Sequence, residues 1–311
     1  MTIYSYREIN SAPRGGVIAL GFFDGVHSAH RSLILEAKKR AEAIGAPLGI
    51  FTFSAESGIK KDTQRLYTTE ERLGIIEGLS VDFAVVAEFS EICALCPEEF
   101  VGEVLISGLD AAVAFAGYNF RFGKGALGHA RDLERLMTEA GRDAVICNEI
   151  TRDGKRVSST AVRSLIESGE MKEAAELLGS PYFLTGKVVK GNGQGRSLGF
   201  PTVNTPLRAG KVIPKLGVYR SLVKLPQGIY NGVTNLGVCP TLGERDAHAE
   251  TYIIDFDGDV YGENVTVYLL EYLREERTFA GKEELIMQIN IDKNTTIEKN
   301  GEEKWQELGL R

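Results

Sequence analysis

The 311-residue chain reads as two domains of different class: an α/β domain with a parallel sheet, then a small antiparallel β-barrel with a C-terminal helix. Three observations predict this. Apolar runs alternate with helical patterns through the first half, the signature of strands joined by right-handed crossovers. After Gly179-Ser180-Pro181 glycine becomes dense, and short β-type segments follow one another between turn signals. The length is also enough for two separate cores. The division is placed at 1–182 and 183–311.

Val17–Leu20 is a short apolar run of the kind that forms a buried strand. Asp24-Gly25 marks a turn, and Leu33, Ile34, Ala37, Ala41 and Ile44 then share one helical face. Leu48–Phe53, 83–86, 111–116 and 144–147 read as further buried strands. Between them, Thr68 and Glu71 make a capping box, Pro97 opens a helix over 97–106, and another covers 131–140. Two short helices, 159–167 and Met171–Leu178, close this half. Strands are expected at 185–190, 217–223, 230–235, 250–256 and 264–273, with turns at Pro226-Gln227-Gly228 and Asp257-Gly258-Asp259. A helix at 282–290 and another near the C-terminus pack outside the barrel, and the polar stretch 290–303 reads as partly mobile.

A net charge of −7, with 43% hydrophobic and 25% charged residues, is that of an ordinary globular protein without a nucleic-acid footprint. No apolar run is long enough to span a bilayer and no signal-peptide pattern opens the chain, so the expected location is the cytoplasm, with no membrane partner. The oligomeric state is not legible. Cys93, Cys96, Cys147 and Cys239 make no disulfide framework, and the Cys93-x-x-Cys96 spacing lacks the second pair of a zinc site. They read as small buried or half-buried thiols.

Gly21-Phe22-Phe23-Asp24-Gly25-Val26-His27-Ser28-Ala29-His30 is the most informative stretch, and it holds half of the chain's four histidines. It places His27 and His30 on the first turn of a helix at the C-terminal end of a parallel strand. Open α/β sheets bind ligands there, and free backbone N–H groups favour a polyphosphate. Two imidazoles add donors that can follow charge onto departing pyrophosphate, which points to nucleotidyl transfer. The loop 117–125 supplies glycines with Asn119, Arg121 and Lys124. Residues 156–163 open a helix with Ser158 or Ser159 as N-cap and with Arg156 and Arg163 flanking it, guanidinium forks suited to phosphate.

The second half opens with a glycine-rich stretch, 191–204. Gly195-Arg196-Ser197 lacks the lysine and spacing of a Walker A loop, but Gly191 and Gly193 allow backbone to cover a nucleotide. Thr202 and Asn204 share one face of an extended segment, a hydroxyl and an amide oxygen suited to Mg²⁺ and a terminal phosphate. Glu250, opening the strand 250–256, is a carboxylate able to take a proton from an alcohol.

With these motifs the chain resembles the bifunctional bacterial riboflavin kinase/FMN adenylyltransferases, the prokaryotic FAD synthetases, over nearly its whole length. The resemblance rests on F-D-G-V-H-x-x-H at 23–30, G-x-N-F-x-F-G at 117–123 and S-S-T-x-x-R at 158–163. It extends to G-R-x-L-G-F-P-T-x-N at 195–204, Glu250, and R-x-E-x-x-F at 274–279. It implies a Rossmann-like nucleotidylyltransferase domain followed by a kinase barrel, with riboflavin, FMN and ATP as substrates and Mg²⁺ as cofactor. It further implies that Phe23, Gly25, Asn119, Arg156, Ser159, Thr160 and Arg163 bind ATP with His27 and His30 as catalytic donors. In the barrel, Gly191, Gly193, Arg196, Thr202 and Asn204 would hold Mg-ATP, with Glu250 as base.

Three positions depart from the family pattern, all in the first domain. Phe53-Ser54-Ala55-Glu56-Ser57 replaces the usual Pro-His-Pro element, Ala29 the usual Gly, and His129 the usual acidic residue. A carboxylate at position 56 pointing inward would repel the FMN phosphate. The second reading is therefore a riboflavin kinase with a degenerate first domain. A regulator that binds flavin or nucleotide without turnover, and another small-phosphate nucleotidylyltransferase, stay open beside it.

Overall fold

The computed structural model describes residues 1–55, 64–152, 154–191, 195, 198–208, 210–238 and 247–302. Glu56, Ser57, Gly193, Arg196 and Cys239 lie outside the described residues. The chain divides into two compact units, Met1–Ser159 and Thr160–Arg311.

The first unit is built on a parallel sheet of β1 (Thr2–Ser5), β2 (Val17–Leu20), β3 (Leu48–Phe53), β4 (Phe83–Ala87), β5 (Val113–Gly117) and β6 (Asp143–Cys147). Their spatial order is β1-β4-β3-β2-β5-β6. Ile18 and Leu20 enter one hydrophobic cluster, Val17 and Ala19 the other, so β2 is buried on both faces. That is why it reads as an unbroken apolar run. At Gly49 on β3, a Cβ would stand 2.3 Å from the Phe83 ring directly across the pair, so glycine keeps β3 and β4 in register. The chain walks outward from β2 through β3 to β4, then returns to β5 on the other side of β2. This reversal opens a crevice at the C-terminal ends of β2 and β5.

Helix α1 (Ser28–Ile44) follows β2, and α2 (Thr69–Glu77) begins at the expected capping box. The Glu71 N–H donates to Thr68 Oγ1 (3.2 Å), and the Thr68 N–H donates to the Glu71 carboxylate (2.9 Å). The helix opened by Pro97 runs as an α turn over Pro97–Glu99 and is π-wound over Phe100–Gly108. Cys96 precedes it, its Sγ accepting the Glu99 N–H at 3.5 Å. Helix α3 (Ala130–Glu139) packs beside β6.

The second unit takes in α4 (Ser159–Ser168) from its second residue and α5 (Met171–Leu178). Its sheet comprises β7 (Tyr182–Lys187), β8 (Thr202–Pro206), β9 (Gly217–Leu225), β10 (Gly228–Val238), β11 (Ala247–Ile253) and β12 (Asn264–Arg274). These are antiparallel in the order β7-β12-β9-β10-β11-β8, and the sheet curls toward closure. The Val189 N–H donates to the Asn204 carbonyl at 2.9 Å, joining the chain beyond β7 to the opposite edge.

Two expectations are corrected here. Glu250 does not open its strand; it lies in the middle of β11, between β8 and β10. Residues 290–302 are not a loose tail but belong to α6, which runs unbroken over Lys282–Glu302. Asp292, Thr296 and Asn300, spaced four apart, form a buried polar stripe on that helix. Asp292 receives Arg274 at 2.9 Å, and Asn300 Oδ1 accepts from Arg220 at 2.5 Å. Arg220, only 1% exposed, also lies 3.3 Å from Glu271, which Lys299 and Lys172 approach as well. Burial alone would raise the Glu271 carboxyl, but these three cations hold it below the ordinary range.

Candidate active sites

The loop after β2 is held in an uncommon backbone shape. Phe23, Gly25 and Val26 all take left-handed φ angles, of 55°, 84° and 43°. For phenylalanine, and more so for β-branched valine, this is strain that surrounding contacts must offset. Asp24, buried, accepts the Leu66 N–H at 2.9 Å, and Ser159 Oγ donates to the Asp24 carbonyl at 2.8 Å. Ser159 thus clasps this loop as the first residue of α4, leaving Ser158 at the cap position. Phe23 is buried and lies edge-on to the His30 ring (5.3 Å), so it packs against the histidine. Gly21 leaves it room, since a Cβ there would stand 3.0 Å from the Phe23 ring.

His27 occupies the N-cap position of α1 and His30 its first turn. Their rings stack at 3.7 Å and 15°, and Nδ1 of each is buried without a hydrogen-bond partner. Burial holds the His27 imidazole down at about 4. The same cause, followed by the neighbouring His27 and Arg72, holds His30 well below its ordinary 6.5. Both rings are therefore neutral at pH 7, each carrying one N–H to give.

The depressed values make stability depend on pH. Between pH 6.5 and 4 the unfolded chain binds the His27 proton and the folded chain does not. The contribution of a neutral His27 is complete above pH 6.5 and is lost as pH falls, by about 3 kcal/mol at pH 4. The urea midpoint of ligand-free protein should fall over this window, and less steeply in His27→Asn. Equal slopes would contradict the burial assigned to this ring.

Asn119 sits exposed on the turn after β5, at the other lip of the crevice. Arg156, on the short strand Lys155–Arg156, pairs with Glu149 at 3.1 Å and lies over the Tyr118 ring at 5.3 Å. Tyr118 donates to the same Glu149 at 2.6 Å. Thr160 and Arg163 follow Ser159 on α4, one and four residues on. Of the departures, the Ala55 N–H donates to Thr69 Oγ1 at 2.7 Å. His129 caps α3 and takes Arg121 on Nε2 at 2.6 Å, the guanidinium donating.

In the second unit Thr202, Asn204 and Glu250 come together. Asn204 stands directly opposite Glu250 across β8 and β11, and Thr202 Oγ1 donates to Glu250 Oε1 at 2.6 Å. Gly191 and Gly195 press against this pair: a Cβ on Gly191 would stand 2.2 Å from Asn204 Nδ2, and one on Gly195 3.1 Å from Thr202 Oγ1. A cavity of about 380 Å³ opens beside them, lined by Gly191, Thr202, Asn204, Phe256, Asp257 and Tyr261 among others. The sequence reading missed Asn235, which faces Glu250 from β10. It follows Thr234 in a strand that also carries Asn231, and no motif marks it.

Among the described residues no three His, Cys, Asp or Glu side chains gather as a metal site. Thr202 and Asn204 fit Mg²⁺ in another way, as two hard oxygen donors beside a cavity that leaves the remaining positions to phosphate and water. The glycines that crowd them would close the space if they carried side chains.

A histidine pair at a switch-point crevice and a hydroxyl–amide–carboxylate row at a second cavity define an enzyme of phosphate transfer with a separate site in each unit. Residues 9–161 match the family model described as FAD synthetase, and 178–299 the one described as riboflavin kinase. The bifunctional riboflavin kinase/FMN adenylyltransferase of Bacillus subtilis is 35% identical over 90% of this chain and 91% of its own length. The protein of the same name from Escherichia coli is 32% identical over 95% and 96%. A crystal structure titled macrolide-efflux protein, from Streptococcus pneumoniae, superposes with a TM-score of 0.86 at 28% identity, covering 95% of this chain and 99% of that one. No described helix of the present chain is long and apolar enough to cross a membrane. The chain belongs to the bifunctional riboflavin kinase/FMN adenylyltransferase family.

Proposed function

We propose that the half 183–311 phosphorylates riboflavin to FMN, and that the half 1–182 adenylylates FMN to FAD, with ATP as co-substrate in both. The observation that carries this is the pair of unlike side-chain clusters, neutral stacked imidazoles in one and Glu250 held by Thr202 in the other.

In the barrel, Glu250 takes the proton of riboflavin's 5′-hydroxyl as that oxygen attacks the γ-phosphorus, and ADP leaves. Thr202, which donates to Glu250 in the free site, keeps the carboxylate in place until substrate arrives. Thr202 and Asn204 would hold Mg²⁺, which when bound neutralises charge on the phosphates. In the crevice, the FMN phosphate attacks the α-phosphorus of a second ATP and pyrophosphate leaves. His27 and His30 donate N–H groups to the phosphate oxygens on which charge develops. Asn119, Arg156, Ser159, Thr160 and Arg163 bind the nucleotide, and Phe23 and Gly25 shape the loop that presents the histidines. A cytoplasmic location matches a demand for ATP at both steps.

The family match over 9–161 and the intact histidine pair support adenylyl transfer over a kinase-only chain. One incubation tests this. Purified protein with riboflavin, ATP and Mg²⁺ should yield FAD on chromatography of the flavins. FMN alone would return the first half to the degenerate reading, and neither product would end the proposal.

A further inference from the structure

Asn235 occupies the flank of Glu250 that the nucleotide cavity does not. Asn204 on β8 and Asn235 on β10 both stand opposite Glu250 in the register. Directly opposed residues share a face, with Cα atoms about 4.5–5.5 Å apart, so the three form a row across the sheet. The cavity is lined on the Asn204 side and by no residue of β10. A phosphate entering there meets Glu250 from β8. The attacking alcohol, in line with the departing diphosphate, then comes from the side of β10.

Asn235 is oriented to receive it. Its Nδ2 donates to Glu276 Oε1 at 2.8 Å, and because a carboxylate oxygen accepts, this fixes which way the amide points. Its Oδ1 is consequently buried with no hydrogen-bond partner, a costly state that an arriving donor relieves. Gly237, two residues on, admits the carboxylate, since a Cβ there would stand 2.8 Å from Glu276 Oε1. We propose that Asn235 is a substrate-binding residue of the kinase site, its Oδ1 accepting a hydrogen bond from the ribityl hydroxyl adjacent to the one phosphorylated. Glu276 is its positioning residue. The assignment rests on the proposed phosphorylation of riboflavin by this half.

The test compares riboflavin with its 4′-deoxy analogue in wild type, Asn235→Ala, Asn235→Ser and Glu276→Gln. Wild type is assayed first on riboflavin, and absence of FMN would fail the proposed function before Asn235 is in question. Given turnover, wild type should prefer riboflavin by at least about tenfold in kcat/KM. Asn235→Ala should lose a similar factor on riboflavin and cease to distinguish the two substrates, with KM for ATP and adenylylation of added FMN unchanged. Asn235→Ser should distinguish them only weakly, and Glu276→Gln should lose part of the preference. A wild type indifferent to the missing hydroxyl overturns the proposal whether or not any variant folds. So does an Asn235→Ala enzyme that keeps the preference.

Discussion

Glu250→Gln should lose at least about 99% of FMN formation from riboflavin yet still convert added FMN to FAD. The substitution keeps the size and planarity of the side chain, and its amide oxygen can still accept from Thr202 Oγ1, now 2.6 Å from the carboxylate. What it removes is the capacity to take a proton. General-base catalysis contributes roughly 10²–10⁴-fold, so kcat for the kinase step should fall by that range with little change in KM for either substrate. Glu250 is paired on both sides, to Asn204 and Asn235, so the strand should stay in place and thermal stability should be nearly unaltered. The measurement is steady-state FMN production beside FAD production from supplied FMN. Normal kinase turnover would refute the assignment of the base.

Replacing His27 and His30 together by Asn should give the complementary phenotype: riboflavin is consumed, FMN accumulates and FAD does not form. Each imidazole is a neutral donor beside the loop that meets the triphosphate, and loss of one donor of this kind costs about 10²–10³ in rate. Each single variant should therefore retain slow adenylylation and the double variant essentially none. Their neutrality sharpens the expectation. Burial keeps His27 unprotonated down to about pH 4, so the adenylylation rate should show no titration of His27 between pH 6 and 8 in the free enzyme. FAD formation by the double variant at the wild-type rate would remove both residues from the mechanism.

The sites were legible in the sequence to different depths, for physical reasons. Strands β2 and β3 are bounded in the structure as the apolar runs predict, because a sheet buried on both faces leaves its mark in every residue. The Thr68–Glu71 cap was legible because it is purely local. Strand β1 was not, being four residues at a sheet edge with Ile3 exposed. In the barrel the order of strands is set by pairing between distant segments, and Ala247, His248 and Ala249 carry no strand pattern of their own. Glu250 therefore reads from the sequence as a carboxylate able to take a proton, whereas its place in the middle of β11, with a partner on each side, leaves no sequence mark. The end of α6 was missed because its buried face is polar: Asp292, Thr296 and Asn300 repeat at helical spacing but offer no hydrophobic signal.

That polar seam behaves as a key rather than an adhesive. Apolar surfaces tolerate sliding, but a helix seated through Arg274–Asp292 and Arg220–Asn300 loses both matches if it turns by one residue. Arg274 ends β12 two residues before Glu276, the group that orients Asn235. The C-terminal helix thereby pins the end of β12 that leads to Glu276 and, through it, to Asn235.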